Sequence, residues 1–189
     1  MKNILRNRLA LSTVVTTLII LVVSVLLAGV VTYFAINVTS TRVQEESVTM
    51  QKIHIWMEGG SGGSAQAAFL LINTGGRDIV INKITVRGQT ADWADVKTVV
   101  PASTVTGDLS YSSDLANIWV DDTEGTDALV TANGAIVFKS GTSMVVYMNE
   151  PDSITLNDIG LTVGVTVFTS QAMYYQEANV QAYVASGSS

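Results

Sequence analysis

Residues 9–38 read LALSTVVTTLIILVVSVLLAGVVTYFAINV, a run without one charged side chain. The charge-free stretch continues to Thr41, and its apolar residues lie on every side of a helical wheel. At about 1.5 Å per residue, the run exceeds the roughly 20 residues that a helix needs to cross a bilayer. Lipid offers the backbone no hydrogen-bond partners, so a lone segment there must be helical. The sequence therefore predicts one long hydrophobic helix.

The charges on either side of this run predict its direction in a membrane. Lys2, Arg6 and Arg8 precede it, and the first acids after it are Glu45 and Glu46. The positive-inside rule then places the N-terminus in the cytoplasm and the following domain outside. A secretory signal peptide has a shorter apolar core that ends in a small-residue cleavage site, which this run lacks. We expect the helix to stay with the mature protein.

The rest of the chain predicts one β-rich domain of roughly 145 residues, enough for a core of its own. Its apolar runs are short, are separated by Gly, Asn, Asp and Ser, and show no helical period. The expected fold class is α+β, a long helix followed by an all-β, immunoglobulin-like sandwich. The predicted strands are Lys52–Glu58, Ala67–Asn73, Ile79–Arg87, Ile118–Val120, Ala135–Lys139, Ser143–Met148, Leu161–Thr169 and Met173–Val184. A further strand near Val96–Val100 is expected inside a long loop, residues 89–117.

Two glycine-rich segments join predicted strands. NTGGRD, Asn73–Asp78, predicts a hairpin because Gly75 and Gly76 can supply positive φ for a tight turn. GGSGGS, Gly59–Ser64, has the composition of a flexible linker, but its place between two strands favours a mobile surface loop. Both segments therefore predict connections within one domain.

Composition and motifs argue against several classes of function. The chain has no cysteine, so it has no disulfide, thiolate metal site or cysteine nucleophile. The net charge is −6 although the N-terminus is basic, so the exported part is acidic and a poor match for nucleic acid. The sequence contains no P-loop and no Rossmann fingerprint. We predict no cofactor and no enzyme activity.

Two polar features are weak candidates for chemistry. His54 is the sole histidine and lies in the alternating run KIHIWME, which favours a half-buried or surface imidazole over a catalytic one. DDTEGTD, Asp121–Asp127, gathers four acids around a glycine but lacks the EF-hand spacing. A solvated acidic loop is therefore favoured over a calcium site.

Aromatic residues are expected to pack. The set comprises Trp56, Trp93, Trp119, Tyr174 and Tyr175. Large aromatic side chains are most often buried in cores or between strands, and we expect this of at least two tryptophans. Any of the five that is exposed can form adhesive or subunit contacts.

One modification site is predicted. The only N-x-[ST] sequon is Asn37-Val38-Thr39, near the outer end of the predicted helix. Burial of this position in a helical assembly would block a glycan, so N-glycosylation at Asn37 is a weak prediction.

The order of these parts resembles archaeal type IV pilin-like proteins. The resemblance rests on a short basic leader, then ALSTVVTTLIILVVSVLLAGVV, then a β-rich domain containing NTGGRDIVINKITVRG, and its helical part covers about residues 6–48. It implies that a prepilin peptidase cuts the precursor on the cytoplasmic side of the helix. The bond that fits best joins Ala10 to Leu11, which implies a basic leader at 1–10, a membrane and filament-core helix at 11–47 and an exported β-sandwich at 48–189.

Two positions depart from patterns in the wider family. Leu9 separates Arg8 from Ala10, whereas the family prefers a basic residue directly before the small one. A cut nearer Arg8, or no cut, is therefore the alternative. Bacterial type IV pilins carry a glutamate near the mature start, whereas the fifth residue after the proposed cut is Val15, which resembles the archaeal branch.

The resemblance implies a structural subunit of an extracellular pilus-like filament that polymerises through its helix and serves surface adhesion. Its implied partners are identical subunits, the prepilin peptidase, an assembly ATPase and a membrane platform protein, with no nucleic acid. The precursor is expected in the cytoplasmic membrane and the product on the cell surface. The alternatives are an archaellin of the motility filament, and a membrane-anchored extracellular binding domain that never polymerises and keeps Met1.

Overall fold

The computed structural model describes residues 2–43, 45–59, 63–112, 115 and 129–184. The chain divides into two compact units, residues 1–44 and 45–189. The first unit consists of one helix, α1, Lys2–Val43, in which side chains are described from Leu11 to Ser40. The second unit is mostly β-structure. These units confirm the expectation of one apolar helix followed by a β-rich domain.

Helix α1 ends at Val43, earlier than the predicted end at residue 47. Residues 45–47 are not helical and belong to the second unit. The Glu46 carboxylate accepts a hydrogen bond from the Thr169 hydroxyl, and the Ser47 carbonyl accepts the Gly75 N–H at 3.0 Å. Contacts with residues far along the chain therefore take the backbone out of the helix before the sequence contains a helix breaker.

The described part of the second unit contains ten strands. Their bounds are β1 Val48–Glu58, β2 Ala65–Asn73, β3 Ile79–Val86, β4 Gln89–Thr90, β5 Val96–Val99, β6 Val130–Thr131, β7 Ile136–Phe138, β8 Ser143–Asn149, β9 Thr162–Thr169 and β10 Met173–Tyr183. Strands β1 to β3, β5 and β7 to β10 correspond to predicted strands, with ends that shift by up to four residues. The two-residue strands β4 and β6 were not predicted. The predicted strand Ile118–Val120 lies outside the described residues.

The strands form one curled sheet in the order β4-β3-β9-β10-β1-β2-β8-β5-β6, and β7 pairs with β3. Neighbours pair antiparallel except β1 and β10, which run parallel with Ile55 opposite Val180. Strands β2 and β3 follow each other in sequence, yet they are separated in the sheet by β9, β10 and β1. The first and last strands therefore join the two halves of the sheet.

One inner core lies between the two halves of the curled sheet. It receives side chains from β1, β2, β3, β5, β7, β8, β9 and β10. The largest fully enclosed apolar members are Ile55, Phe69, Leu71, Ile81 and Phe138, each with 0% of its surface exposed. Burying one such side chain contributes about 1.5–3 kcal/mol, so this core is the main source of stability in a domain without disulfides.

The predicted hairpin at Asn73–Asp78 is wrong. Strand β2 pairs with β1 and β8, whereas β3 pairs with β4, β7 and β9, so the segment crosses from one half of the sheet to the other. A Cβ on Gly75 would lie 2.7 Å from the Glu45 carbonyl oxygen and 2.8 Å from the Ser47 nitrogen. Gly75 is therefore required for a close approach of two backbones, and not for the positive φ that a tight hairpin needs.

Gly59–Ser64 connects the antiparallel strands β1 and β2. The Glu58 N–H donates to the Ser64 carbonyl at 3.1 Å, which closes the base of this connection. Residues 60–62 lie outside the described residues. The glycine-rich segment therefore joins two strands of one domain, as its position in the sequence predicted.

Candidate functional site

Every described side chain of α1, from Leu11 to Ser40, is exposed. This 30-residue stretch has a mean hydropathy of 2.9. Its length of about 45 Å exceeds the roughly 30 Å of a bilayer's hydrocarbon core. The helix is therefore long and apolar enough to cross a membrane, a property that membrane anchors share with N-terminal signal sequences.

Hydroxyl side chains within α1 bond to the helix itself. Side-chain hydroxyls donate to the backbone carbonyl four residues earlier at 2.7–2.9 Å, in the pairs Thr16 to Ser12, Ser24 to Ile20, Thr32 to Ala28 and Thr39 to Ala35. A hydroxyl without a partner is costly in an apolar medium. Because these bonds are internal, α1 can enter lipid or a bundle of like helices without leaving these hydroxyls unpaired.

The predicted processing and modification sites both lie within α1. Ala10 and Leu11 are in continuous helix, and Asn37 is an exposed helical residue six positions before the last residue, Val43. A glycan on Asn37 would project from a helix that is otherwise apolar there. Cleavage at Ala10–Leu11 and glycosylation of Asn37 stay predictions.

His54 lies on β1 with 19% of its side chain exposed. Its ring stacks on Trp56 at 5.2 Å, and its Nε2 lies 2.8 Å from Asp108 Oδ1. This hydrogen bond lowers the pKa of the Asp108 carboxyl. The half-buried position agrees with the structural interpretation of His54. Among the described residues, no group of three or more His, Asp or Glu side chains is arranged to hold a metal ion.

The segment 100–112, here called the cover segment, packs on the outer face of the sheet. Its Val105 and Leu109 are buried in an outer apolar cluster. Strands β1, β2, β5 and β8 supply the sheet side of this cluster. The other members of the cluster are Trp56, Ala68, Leu70, Val99, Leu115, Leu129, Val145 and Tyr147. Within the long loop predicted at residues 89–117, the cover segment therefore packs Val105 and Leu109 over the outer face of the sheet, where β2 and β8 are buried on this side as well.

Polar contacts fix the cover segment in place. The Gln66 amide donates to the Ser112 carbonyl at 2.9 Å and accepts the Ser112 N–H at 3.0 Å. The Tyr147 hydroxyl donates to the Ser110 carbonyl at 3.0 Å, and burial raises the pKa of Tyr147 to about 12. Gln66 is only 2% exposed, so both of its hydrogen bonds are shielded from water. Sequence reasoning missed these residues because a polar residue in a strand gives no sign of a distant backbone partner.

Lys52 makes three hydrogen bonds to the cover segment. It lies at a break in the β1–β2 register and has a left-handed φ of 50°. A bulge of this kind redirects a side chain. The Lys52 ammonium donates to three successive carbonyls, those of Val105 at 2.9 Å, Thr106 at 3.0 Å, and Gly107.

Lys52→Met is expected to loosen the cover segment. The substitution keeps the apolar stem but removes three hydrogen bonds from a charged donor, which are the stronger kind. Amide hydrogen exchange in residues 103–110 should become at least about tenfold faster, because local opening costs less free energy. The control is Lys139→Met, at an exposed lysine. Unchanged exchange in Lys52→Met would show that apolar packing and the hydrogen bonds of Gln66 and Tyr147 hold this segment without Lys52.

Asp158 lies in the turn Leu156–Asp158 and forms an ion pair with Arg87. Its Oδ1 is 2.7 Å from the Arg87 guanidinium. The Thr155 hydroxyl and N–H donate to its carboxylate at 2.7 and 2.8 Å. These bonds, and then the Arg87 guanidinium, lower the pKa of Asp158 below its ordinary 3.8. The carboxylate therefore stabilises the fold above pH 3.8, and this contribution is lost as the pH falls through the folded-state pKa.

Asp158→Asn is expected to lower the free energy of unfolding at pH 7 and to flatten its decline in acid. The amide cannot ionise, so the variant should lose less stability than the wild type between pH 5 and pH 2. Denaturant unfolding of the full chain at several pH values measures both effects. Asp95→Asn, at an exposed carboxylate, is the matched control. Parallel pH profiles for the wild type and Asp158→Asn would contradict the assignment.

An acidic cleft of about 290 Å³ lies beside the ends of β4 and β8. Its carboxylates come from Asp92, Asp95, Glu150 and Asp152. Asp92 accepts the Ala94 N–H at 3.1 Å. All four of these acidic residues are exposed to solvent. The acidic segment Asp121–Asp127, a weak calcium candidate, lies outside the described residues.

The aromatic residues divide into packed and exposed ones. Trp56 is buried, Trp93 and Tyr174 pack against the inner core, and Trp119 lies outside the described residues. Packing is therefore confirmed for two tryptophans. Tyr175 differs, because 58% of it is exposed on the outer face of β10, so the expectation that it packs is wrong. Tyr174 and Tyr175 are adjacent on a strand and so point to opposite faces.

Three solved structures that match this chain are distant from it both in sequence and in fold. The apo PmoF2 PCuAC domain is 16% identical, covers 73% of this chain and 95% of that chain, and has a TM-score of 0.38. The copper-bound PCuAC domain from PmoF2 is 18% identical, with 74% and 99% covered and a TM-score of 0.31. A β-glucosidase from Listeria innocua in complex with glucose is 12% identical, with 74% and 16% covered and a TM-score of 0.26. These likenesses assign no family.

Comparison with protein sequences does not assign a family either. No protein-family model matches the chain, and no curated protein matches it. At such low TM-scores, the copper of one neighbour and the glucose of another describe those proteins alone. The function must therefore be argued from the helix and from the surfaces of the β-domain.

Proposed function

We propose that this chain is a structural subunit of an extracellular, archaeal type IV pilus-like filament that serves surface adhesion. The observation that carries the proposal is α1, whose described side chains are all exposed over 30 residues of mean hydropathy 2.9. Apolar surface of this extent is not stable in water. Two environments can cover it, a lipid bilayer and a bundle of like helices, and a filament subunit uses first one and then the other.

Transfer from lipid into a filament core gains little hydrophobic free energy, because lipid tails are about as apolar as leucine. Close packing of helices must then hold the polymer together, helped by small residues that let backbones approach. Ala28 and Gly29 supply such a place, because their side chains are the smallest. Contacts of ~1 kcal/mol per pair add up when each helix meets several neighbours.

The other parts of the proposal follow from this role. The precursor is stored in the cytoplasmic membrane, a prepilin peptidase cuts it at Ala10–Leu11, and an assembly ATPase with a membrane platform protein moves it into the filament. The curled sheet would form the outer layer, and the core between its two halves supports a sandwich of the immunoglobulin-like kind. The proposed product is a homopolymer on the cell surface.

The test is electron microscopy of material sheared from the native cell surface, together with mass spectrometry of the protein's N-terminus. Filaments built from this chain, starting at or near Leu11, are the expected result. A rotating filament would identify an archaellin instead. A chain that stays in the membrane fraction with Met1 intact and forms no filaments would overturn the proposal in favour of an anchored binding domain.

A further inference from the structure

The outer face of β10 is an exposed surface with one ordered aromatic ring. Exposure is 58% for Tyr175 and 67% for Met173, and Glu177 and Asn179 are exposed as well. Where β10 continues past this surface, Tyr183 stacks on Tyr111 of the cover segment at 3.9 Å. The cover segment therefore borders a part of the sheet whose outer side chains face solvent.

Tyr175 is held in place although it is exposed. Its ring lies against Gly164 on β9, where a Cβ would be 2.3 Å from ring atom Cε2 and 2.8 Å from Cζ. No residue other than glycine leaves room for the ring in this position. The Tyr175 hydroxyl donates to Glu177 Oε1 at 2.7 Å, which fixes the other end of the side chain. The ring is thus pre-organised, and binding to it loses little side-chain entropy.

Fixed polar groups continue along the same strand face. Glu177 lies opposite Gly164 and Asn179 lies opposite Thr162 in the β9–β10 register. The Thr162 hydroxyl is 2.8 Å from Asn179 Oδ1. One aromatic ring is therefore followed, two and four residues further on, by a carboxylate and an amide on the same face.

We propose that this surface, Tyr175 with Glu177, Asn179 and Thr162, binds a neutral oligosaccharide. The proposal rests on the adhesive function proposed above and names the class of ligand. The face of a tyrosine ring carries partial negative charge, which matches the polarised C–H groups on one face of a pyranose ring. The carboxylate and the amide oxygen accept hydrogen bonds, and sugar hydroxyls donate them. The partial charges of such a ligand and of this surface are therefore complementary.

A second copy of the chain fits this surface less well. The cores of protein interfaces are depleted of charged residues, yet Glu177 is bonded directly to the single large ring. A basic peptide would match the carboxylate, but Lys83 and Met173 both pair with Phe168, so the Lys83 ammonium, 4.2 Å from the Phe168 ring centroid, places a positive charge on the same sheet face. An uncharged ligand rich in hydroxyl groups brings no charge of its own, and its hydroxyls can donate hydrogen bonds to the Glu177 carboxylate.

The experiment uses the full chain in detergent micelles on an array of immobilised neutral oligosaccharides: β-glucans, mannans and N-acetylglucosamine oligomers. We expect binding that changes little between low and high salt. Tyr175→Ala should weaken binding at least about tenfold, because it removes the stacking surface. Gly164→Ala should do the same by displacing the ring, and Glu177→Gln should have a smaller effect. Val130→Ala, at a residue that is 65% exposed on β6, is the control.

Several outcomes would overturn the proposal. Wild-type chain that binds no sugar, or that binds as well after Tyr175→Ala, excludes a saccharide site at this surface. Binding to the array that falls steeply with salt would mean that ionic attraction to the support carries it, and would exclude recognition of a neutral sugar at this surface. Loss of filaments in Tyr175→Ala without any sugar binding by the wild type indicates a subunit contact. Sugar binding is read on dispersed subunits and filaments are read by microscopy, so failure of this proposal is distinguishable from failure of the proposed function.

Discussion

Val25→Asp is expected to abolish filaments while the chain stays in the membrane fraction. Val25 lies near the middle of the apolar stretch Leu11–Ser40 and is 64% exposed on α1. One aspartate at the centre of a membrane helix costs ~2.5–3.5 kcal/mol, and each Leu, Ile, Phe or Val returns about 0.3–0.6 kcal/mol. The many apolar residues of α1 outweigh one aspartate, so the helix should still insert.

In a filament core the aspartate should cost more free energy than the packing contacts return, because every subunit would bring the same carboxylate against its neighbours. An unpaired charge in such a place costs several kcal/mol or forces protonation, and the packing contacts are only ~1 kcal/mol each. We expect electron microscopy to show at least a hundredfold fewer filaments, with equal amounts of subunit in the membrane. This factor follows because each loss of about 1.4 kcal/mol in assembly free energy lowers the equilibrium constant tenfold. Val25→Leu is the control and should assemble normally. Normal filaments from Val25→Asp would show that α1 does not form their core.

Phe69→Ala is expected to lower the free energy of unfolding by about 3–5 kcal/mol, the range for removal of a buried aromatic side chain. Phe69 is on β2, a strand buried on both faces, and none of its surface is exposed. Its ring fills the inner core where both halves of the curled sheet meet. The neighbouring side chains come from several strands and cannot all move inward to fill the space, so a cavity should remain.

Denaturant unfolding of the full chain in detergent measures this change, followed by tryptophan fluorescence from the β-domain. Val137→Ala on β7 is the control, because Val137 is 61% exposed. A surface substitution of this type should change the free energy by less than about 0.5 kcal/mol. A change below about 1 kcal/mol for Phe69→Ala would mean that the core collapses around the missing ring, contrary to close packing between two sheet halves.

Much of the candidate functional region could be predicted from the sequence. The apolar helix follows from an uninterrupted composition, and lipid or a helix bundle permits no other backbone structure there. Most strands follow from local alternation of apolar residues with turn formers between them. His54 and Trp56 could be assigned structural positions because strand periodicity indicates burial without knowledge of the neighbouring strand.

The pairing of the strands could not be predicted from the sequence in the same way. NTGGRD has the local chemistry of a hairpin, yet Gly75 serves a close approach to Glu45 and Ser47, which precede it by about thirty residues. The early end of α1 has a similar origin in the contact of Glu46 with Thr169. Such contacts bring together residues whose separation along the chain leaves no local pattern.

The sequence by itself determined the apolar helix, the absence of disulfides and most of the strands, because composition and short periodicity act within a few neighbouring residues. Only the tertiary structure decided which strands are adjacent, that residues 100–112 pack on the outer face of the sheet, and that Tyr175 lies exposed against Gly164. Those features depend on register and on contacts between distant segments. A shift of one residue in a strand would turn Tyr175 inward and Tyr174 outward, and no local property of the two tyrosines distinguishes these arrangements.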